Sequence, residues 1–202
     1  MTSRLEKGES VSNIVGKILF ELEAIRDSGR GKSLLANLRN SVGQPLSETI
    51  SSWSFLYERF PKEWIENSNK ISNEETVVLT ILQLYAIHQQ AITSNVHISS
   101  KANSYQNIGN SLGFLRKGEN TLAIDRRFNA MVTSHSFEEL IHHLRQLIKL
   151  YKSKEKEKSK IDYSRLAQDL FWFRCGSKEW VRLSWARAYY ASQEKGEDNN
   201  DK

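Results

Sequence analysis

His142, Arg145, Lys149 and Lys152 recur at intervals of three or four residues, which on a helix places them along one face. A rigid row of cations suits a sugar–phosphate strand, because neutralised phosphates supply most of the affinity of proteins for nucleic acid. The adjacent pair Arg126 and Arg127 stands one helix earlier and offers the same chemistry. A purely solvated helix face would carry such a row equally well, and spacing alone does not separate the two. A second basic group precedes an apolar helix: Arg30 and Lys32 flank Gly31, and Arg39 follows Lys32 by about two turns. Free amides at a helix start favour an anion there, although loose surface cations would give the same pattern.

Other chemistry finds little support. Gly31-Lys32-Ser33 has the ending of a phosphate-binding loop, but Arg26 stands where its first glycine belongs and no strand leads in. The five histidines form no metal-binding pattern; His142 and His143 are neighbours on a helix and point about 100° apart. His88 closes the most apolar segment and reads as a satisfied core residue. Asp162 and Asp169 read as a helix cap and a helix-surface partner for an arginine, not as an acid–base pair. Cys175 lacks an activating neighbourhood and reads as a small hydrophobe. No catalytic residue, metal site or cofactor is therefore expected, and an enzyme ranks last. Trp53, Trp64, Trp172, Trp180 and Trp185 sit at helical spacing beside Leu and Phe, which favours core over base stacking. Phe171-Trp172-Phe173 is a candidate partner-helix interface.

The elements that would position these residues are helices. A first helix over about residues 10–27 stops at Ser28-Gly29-Arg30-Gly31, and a short one with Leu34, Leu35 and Leu38 follows. From Pro45 a helix presents Leu46, Ile50, Trp53, Tyr57 and Phe60. Ser72 and Glu75 stand at capping-box spacing ahead of a segment apolar all round, the expected centre of a bundle. Residues 93–107 read as a Ser- and Asn-rich loop of low order. Ser136 and Glu139 cap the basic helix, whose inner stripe is Phe137, Leu140, Ile141, Leu144, Leu147, Ile148 and Tyr151. Lys152 to Lys160 reads as a solvated connector, and two further helices follow it. The fold expected is all-α, about eight or nine helices in one domain over residues 1–190, with a polar acidic tail, disordered, at 191–202.

At 202 residues, 39% hydrophobic and 26% charged, the chain can bury a substantial core and is not disordered as a whole. No apolar run reaches the roughly 18 residues needed to span a bilayer, the N-terminus shows no secretory signal, and the single cysteine suits a reducing compartment. A cytoplasmic protein without a membrane partner is expected. Charge is uneven: 10 basic and 11 acidic side chains over 1–100, 17 and 9 over 101–190, and 2 and 4 in the tail. Such a concentration favours a polyanionic partner.

Taken in order, the motifs resemble a family. Arg30-Gly31-Lys32-Ser33-Leu34-Leu35-Ala36-Asn37-Leu38-Arg39 is similar to the N-terminal basic motif of the CasB family, the small subunit of the type I-E CRISPR Cascade complex. The similarity continues through Leu84-Tyr85-Ala86-Ile87-His88-Gln89, Asn110-Ser111-Leu112-Gly113 and Asp125-Arg126-Arg127-Phe128. It runs on through His143-Leu144-Arg145-Gln146-Leu147 and Ile161-Asp162-Tyr163, and closes at Val181-Arg182 and Trp185-Ala186-Arg187. The resemblance implies an all-helical, non-enzymatic subunit present in two copies within a crRNA-guided complex. It also implies sequence-independent contact with crRNA and target DNA, displaced strand included, beside the other Cascade subunits. The positions matching the family's basic motifs are Lys32, Arg39, Arg126, Arg127 and Arg145; Arg116, Lys117 and Lys149 join them from the face argument. Two features depart from the family pattern: Asn40 replaces a second cation after Arg39, and the 152–160 run is expanded. A helical DNA-binding regulator is one competing reading, but no tight helix–turn–helix precedes Arg145 at the required distance. A scaffold subunit whose basic face meets an acidic protein is another.

Overall fold

The computed structural model describes residues 4–65, 70–99, 106–117 and 120–191. Its first half contains α1 (Arg4–Ile25), α2 (Gly29–Asn40), α3 (Trp53–Tyr57), α4 (Lys62–Ile65) and α5 (Asn73–Gln89). The second contains α6 (Ile108–Gly113), α7 (Thr121–Val132), α8 (Phe137–Glu155), α9 (Tyr163–Arg174) and α10 (Lys178–Ala191). The fold is all-α, and the helices exceed the expected eight or nine because α3 and α4 are single short pieces. Among the described residues the sole strand-like feature is one parallel bridge between His97 and Ile161.

The centre of the bundle is α5. Ser72 Oγ accepts from the Glu75 N–H at 3.1 Å while the Glu75 carboxylate accepts from the Ser72 N–H at 2.7 Å, the reciprocal cap expected from the spacing. Val77, Val78, Ile81, Leu82, Tyr85 and Ala86 are fully buried, so this helix has no solvent face to speak of. Helices α1, α2, α8 and α9 surround it, α10 packs on α6 and α9, and α7 lies along α8. Two glycines make close approaches possible. A Cβ at Gly31 would collide with the Ile25 carbonyl oxygen where α2 folds back on α1, and one at Gly109 would collide with the Trp185 carbonyl oxygen where α6 meets α10.

Several local expectations are corrected. The helix expected after Pro45 is broken into two 3-10 turns, Leu46–Glu48 and Ile50–Ser52, before α3. The run 152–160 is no loose connector: it completes α8, makes the 3-10 turn Lys156–Lys158 and ends with Ser159 fully buried. The start of the Ser- and Asn-rich stretch, Thr93 to Asn95, is tied down by that same run. Glu157 accepts from the backbone N–H groups of Thr93 and Ser94, each at 2.9 Å, and Lys160 Nζ donates to the Asn95 carbonyl. Those amides hold the Glu157 carboxyl down to about 2. The tail expected to be disordered lies, from residue 192 on, outside the described residues.

Candidate nucleic-acid interface

The basic motif near the N-terminus belongs to a helix, not to a loop. Ser28 caps α2, its hydroxyl accepting from the Gly31 N–H at 3.1 Å and donating to the Ile25 carbonyl at 2.6 Å. Arg30 and Lys32 therefore occupy the first turn, and the glycine between them serves the packing of α2 on α1. Lys32 projects to solvent and Arg39, partly buried, follows two turns on. With Leu35, Gln89 and Ala91 they line a recess of about 230 Å³. Arg26 at its edge is already occupied, since Glu23 and Asp27 hold its guanidinium at 2.9 and 3.4 Å.

The end of α8 brings further cations near Arg39. Lys152 Nζ donates to the Ile87 carbonyl at 2.9 Å, anchoring the last turns of α8 against α5. Its ammonium pKa lies below the ordinary lysine value because of burial, then because of the nearby charges of Arg39 and Lys149. Three cations from two helices thus repel one another, and among the described residues none of Lys32, Arg39, Lys149 and Lys152 is paired with a carboxylate. Lys152 is the member of this group that lies outside the basic positions matching the family. It belongs to the same i, i+3 row as Lys149, which the sequence shows, but neither a family motif nor an ion-pair pattern singles it out.

Arg145 stands one turn before Lys149. It lines a larger groove, about 370 Å³, between the turn following α2, α5 and α8. Its Nε is sealed from solvent and has no hydrogen-bond acceptor.

The other candidates divide. Arg126 and Arg127 are exposed on α7 and carry no ion pair among the described residues, but the coupling that joins Arg39, Lys149 and Lys152 does not extend to them. Lys117 is exposed, its ammonium 5.0 Å from the centre of the Phe114 ring. Arg116 is a different case. Its Nε and Nη2 donate to the two oxygens of Asp125 at 2.8 and 3.2 Å, and Tyr189 donates to the same carboxylate at 2.8 Å. With Tyr190 also under its guanidinium, Arg116 is spent internally.

The remaining polar groups are structural. His88 is fully buried between Tyr163 Oη at 3.0 Å and Ser159 Oγ at 2.9 Å, a satisfied core histidine. Burial, then the charges of Lys152 and Lys160, lower its pKa to about 3. Asp169 is not on a surface: it is completely buried, 3.0 Å from Arg165 and accepting from Trp185 Nε1 at 2.7 Å. Burial raises its pKa to about 6 against the pull of Arg165. Among the tryptophans, Trp185 is fully buried, Trp53, Trp64 and Trp172 pack on the core's edge, and Trp180 is 46% exposed. No helix is long and apolar enough to cross a membrane, and no three His, Cys, Asp or Glu side chains group as metal ligands, among the described residues.

Residues 34–190 match the family model described as CRISPR-associated protein Cse2. No curated protein matches the sequence. Among solved structures, CasB from Thermobifida fusca is 23% identical, covering 94% of this chain and 99% of its own, at a TM-score of 0.67. CasB from M. ruber is 21% identical over 100% of both chains at the same score. A chain of a CRISPR RNA-guided surveillance complex is 16% identical, covering 95% of this chain and 99% of its own, at 0.68. At these identities the structures establish a shared fold.

Proposed function

The chain belongs to the CRISPR-associated Cse2 family, the CasB small subunits of type I-E Cascade, and from that premise we propose that it is a non-catalytic, cytoplasmic subunit that holds nucleic acid open. Its partners are crRNA, target DNA including the displaced strand, the other Cascade subunits and a second copy of itself. The observation that supports the reading best is the group of Lys32, Arg39, Lys149 and Lys152, none ion-paired with a carboxylate among the described residues, with Arg39 and Lys149 close enough to part-buried Lys152 to add to the effect of burial in lowering its pKa. A polyanion relieves that repulsion, and phosphates laid along the cluster release counterions as they bind.

The mechanism needs no base reading. Exchange of DNA pairs for RNA–DNA pairs is close to balanced, so a surface that neutralises phosphates only in the open state tips it. Arg39 contributes a planar fork able to donate twice to one phosphate, and the lysines act as point charges around it. Arg145 continues the track along α8. Arg126, Arg127 and Lys117 provide a further contact for a separate stretch of strand, while Arg116 holds α7 to α10 and takes no part. A complex assembled with Arg39→Ala and Lys149→Ala together is expected to retain its stoichiometry and lose target-DNA affinity. Normal affinity at moderate salt in a correctly assembled double variant refutes the proposal. Loss of assembly with intact oligonucleotide binding by the free subunit favours the acidic-partner scaffold instead.

A further inference from the structure

We infer that the groove beside Arg145 is a pocket for one nucleobase turned out of a bound single strand, an inference that rests on the basic row being a nucleic-acid face. The groove encloses about 370 Å³, and Val42, Pro45, Phe137 and Ile141 give it apolar walls. A flat aromatic ring fits such walls better than a solvated chain does, and every base offers one. Arg145 supplies the second feature: a buried Nε–H without an acceptor is costly to leave unmade, and it lies where the groove meets the cation row. A strand following Lys152 and Lys149 toward the start of α8 reaches Arg145 one turn later, so a phosphate oxygen there can meet the exposed part of this part-buried side chain while its base enters the groove. Turning out a base costs little when the strand is already unpaired.

The groove could instead receive an apolar side chain of a partner protein that carries a carboxylate for Arg145. Glu138 argues against that occupant. It lines the same groove seven residues before Arg145, about two helical turns away. An apolar side chain leaves its carboxylate without a donor in the groove, whereas the exocyclic amine of a base can donate to it.

The test compares two single-stranded DNA oligomers of equal length, one with bases throughout and one abasic at its central positions, titrated against the full chain. The wild type is expected to prefer the intact strand by at least about fivefold, the value of roughly one stacked base. Ile141→Trp, which fills the groove, is expected to abolish that preference while leaving affinity for the abasic strand unchanged. Lys149→Ala is expected to weaken both strands equally. Equal affinity of the wild type for both strands overturns the pocket but leaves the basic face standing, and this comparison needs no variant. Failure to bind either strand overturns the basic face itself. A preference that survives in folded Ile141→Trp also overturns the pocket, and loss of partner subunits on purification of that variant assigns the groove to a protein side chain.

Discussion

The face shared by α2 and α8 and the side of the bundle formed by α7, α9 and α10 hold similar numbers of basic residues and use them oppositely. On the first, Lys32, Arg39 and Lys149 have no carboxylate partner among the described residues, and Lys152 reaches only a backbone carbonyl. On the second, four arginines are committed, while Arg126 and Arg127 on α7 are not. Arg116 grips Asp125, Arg165 grips Asp169, Arg174 donates to Asn73 at 3.0 Å, and Arg182 donates to the Ser134 carbonyl. A count of cations therefore does not locate an interface. What locates it is whether the donors are still unspent after folding.

The largest effect is expected where an arginine is most deeply committed. Asp169→Ala leaves Arg165 without its carboxylate in the core, and breaking a buried pair costs about 3–5 kcal/mol. Urea unfolding should show that loss, with oligonucleotide binding by the remaining folded protein unchanged. A loss below about 1 kcal/mol would mean that neither the pair within α9 nor the Asp169–Trp185 bond from α9 to α10 contributes as argued. Next comes Arg116→Ala, which removes charge-assisted bonds to Asp125 and should cost about 1.5–3 kcal/mol. It should not alter the salt dependence of nucleic-acid binding; a reduced slope would return Arg116 to the interface.

His88 has a folded pKa of about 3 against an ordinary 6.5, so the unfolded chain binds the extra proton first. Stability from this residue is whole above the ordinary histidine range and is lost as pH falls below it toward 3. Asp169, with its pKa raised to about 6, works in the other direction: its penalty is largest above 6 and shrinks as the carboxyl protonates. Comparison with His88→Gln isolates the histidine. The variant should be less stable at neutral pH, and its melting temperature should fall less than the wild type's on acidification. Parallel curves would show that His88 does not titrate on unfolding. The smallest effect is expected on the open face, where Lys149→Ala should change stability by less than about 0.5 kcal/mol. Its sign should be neutral or favourable, because one source of repulsion with Lys152 disappears.

The same contrast separates what could be read in the sequence from what could not. Caps at Ser72, Ser136 and Asp162 and the apolar stripes of α5 and α8 are local patterns, and each forms in the structure. The basic row on α8 is also local, since one helix sets its spacing. Pairing between elements is not. Asp125 lies nine residues from Arg116 across a helix break, and nothing in that interval announces a bidentate contact. Asp169 looked superficial because its helix partner Arg165 is visible in sequence, while Trp185, which draws it inward, is 16 residues away. The 152–160 run looked solvated because its lysines are charged, yet Glu157 and Lys160 find backbone partners about 65 residues earlier.

The measurement bearing most directly on the α2–α8 face is the salt dependence of single-stranded DNA binding, compared between the wild type and a Lys32→Ala, Arg39→Ala, Lys149→Ala variant. Each lost phosphate contact lowers the slope of log affinity against log salt by about 0.7 on a single strand, so the triple variant should lose about two units of slope. An unchanged slope in the folded variant would show that the strand lies elsewhere on the protein.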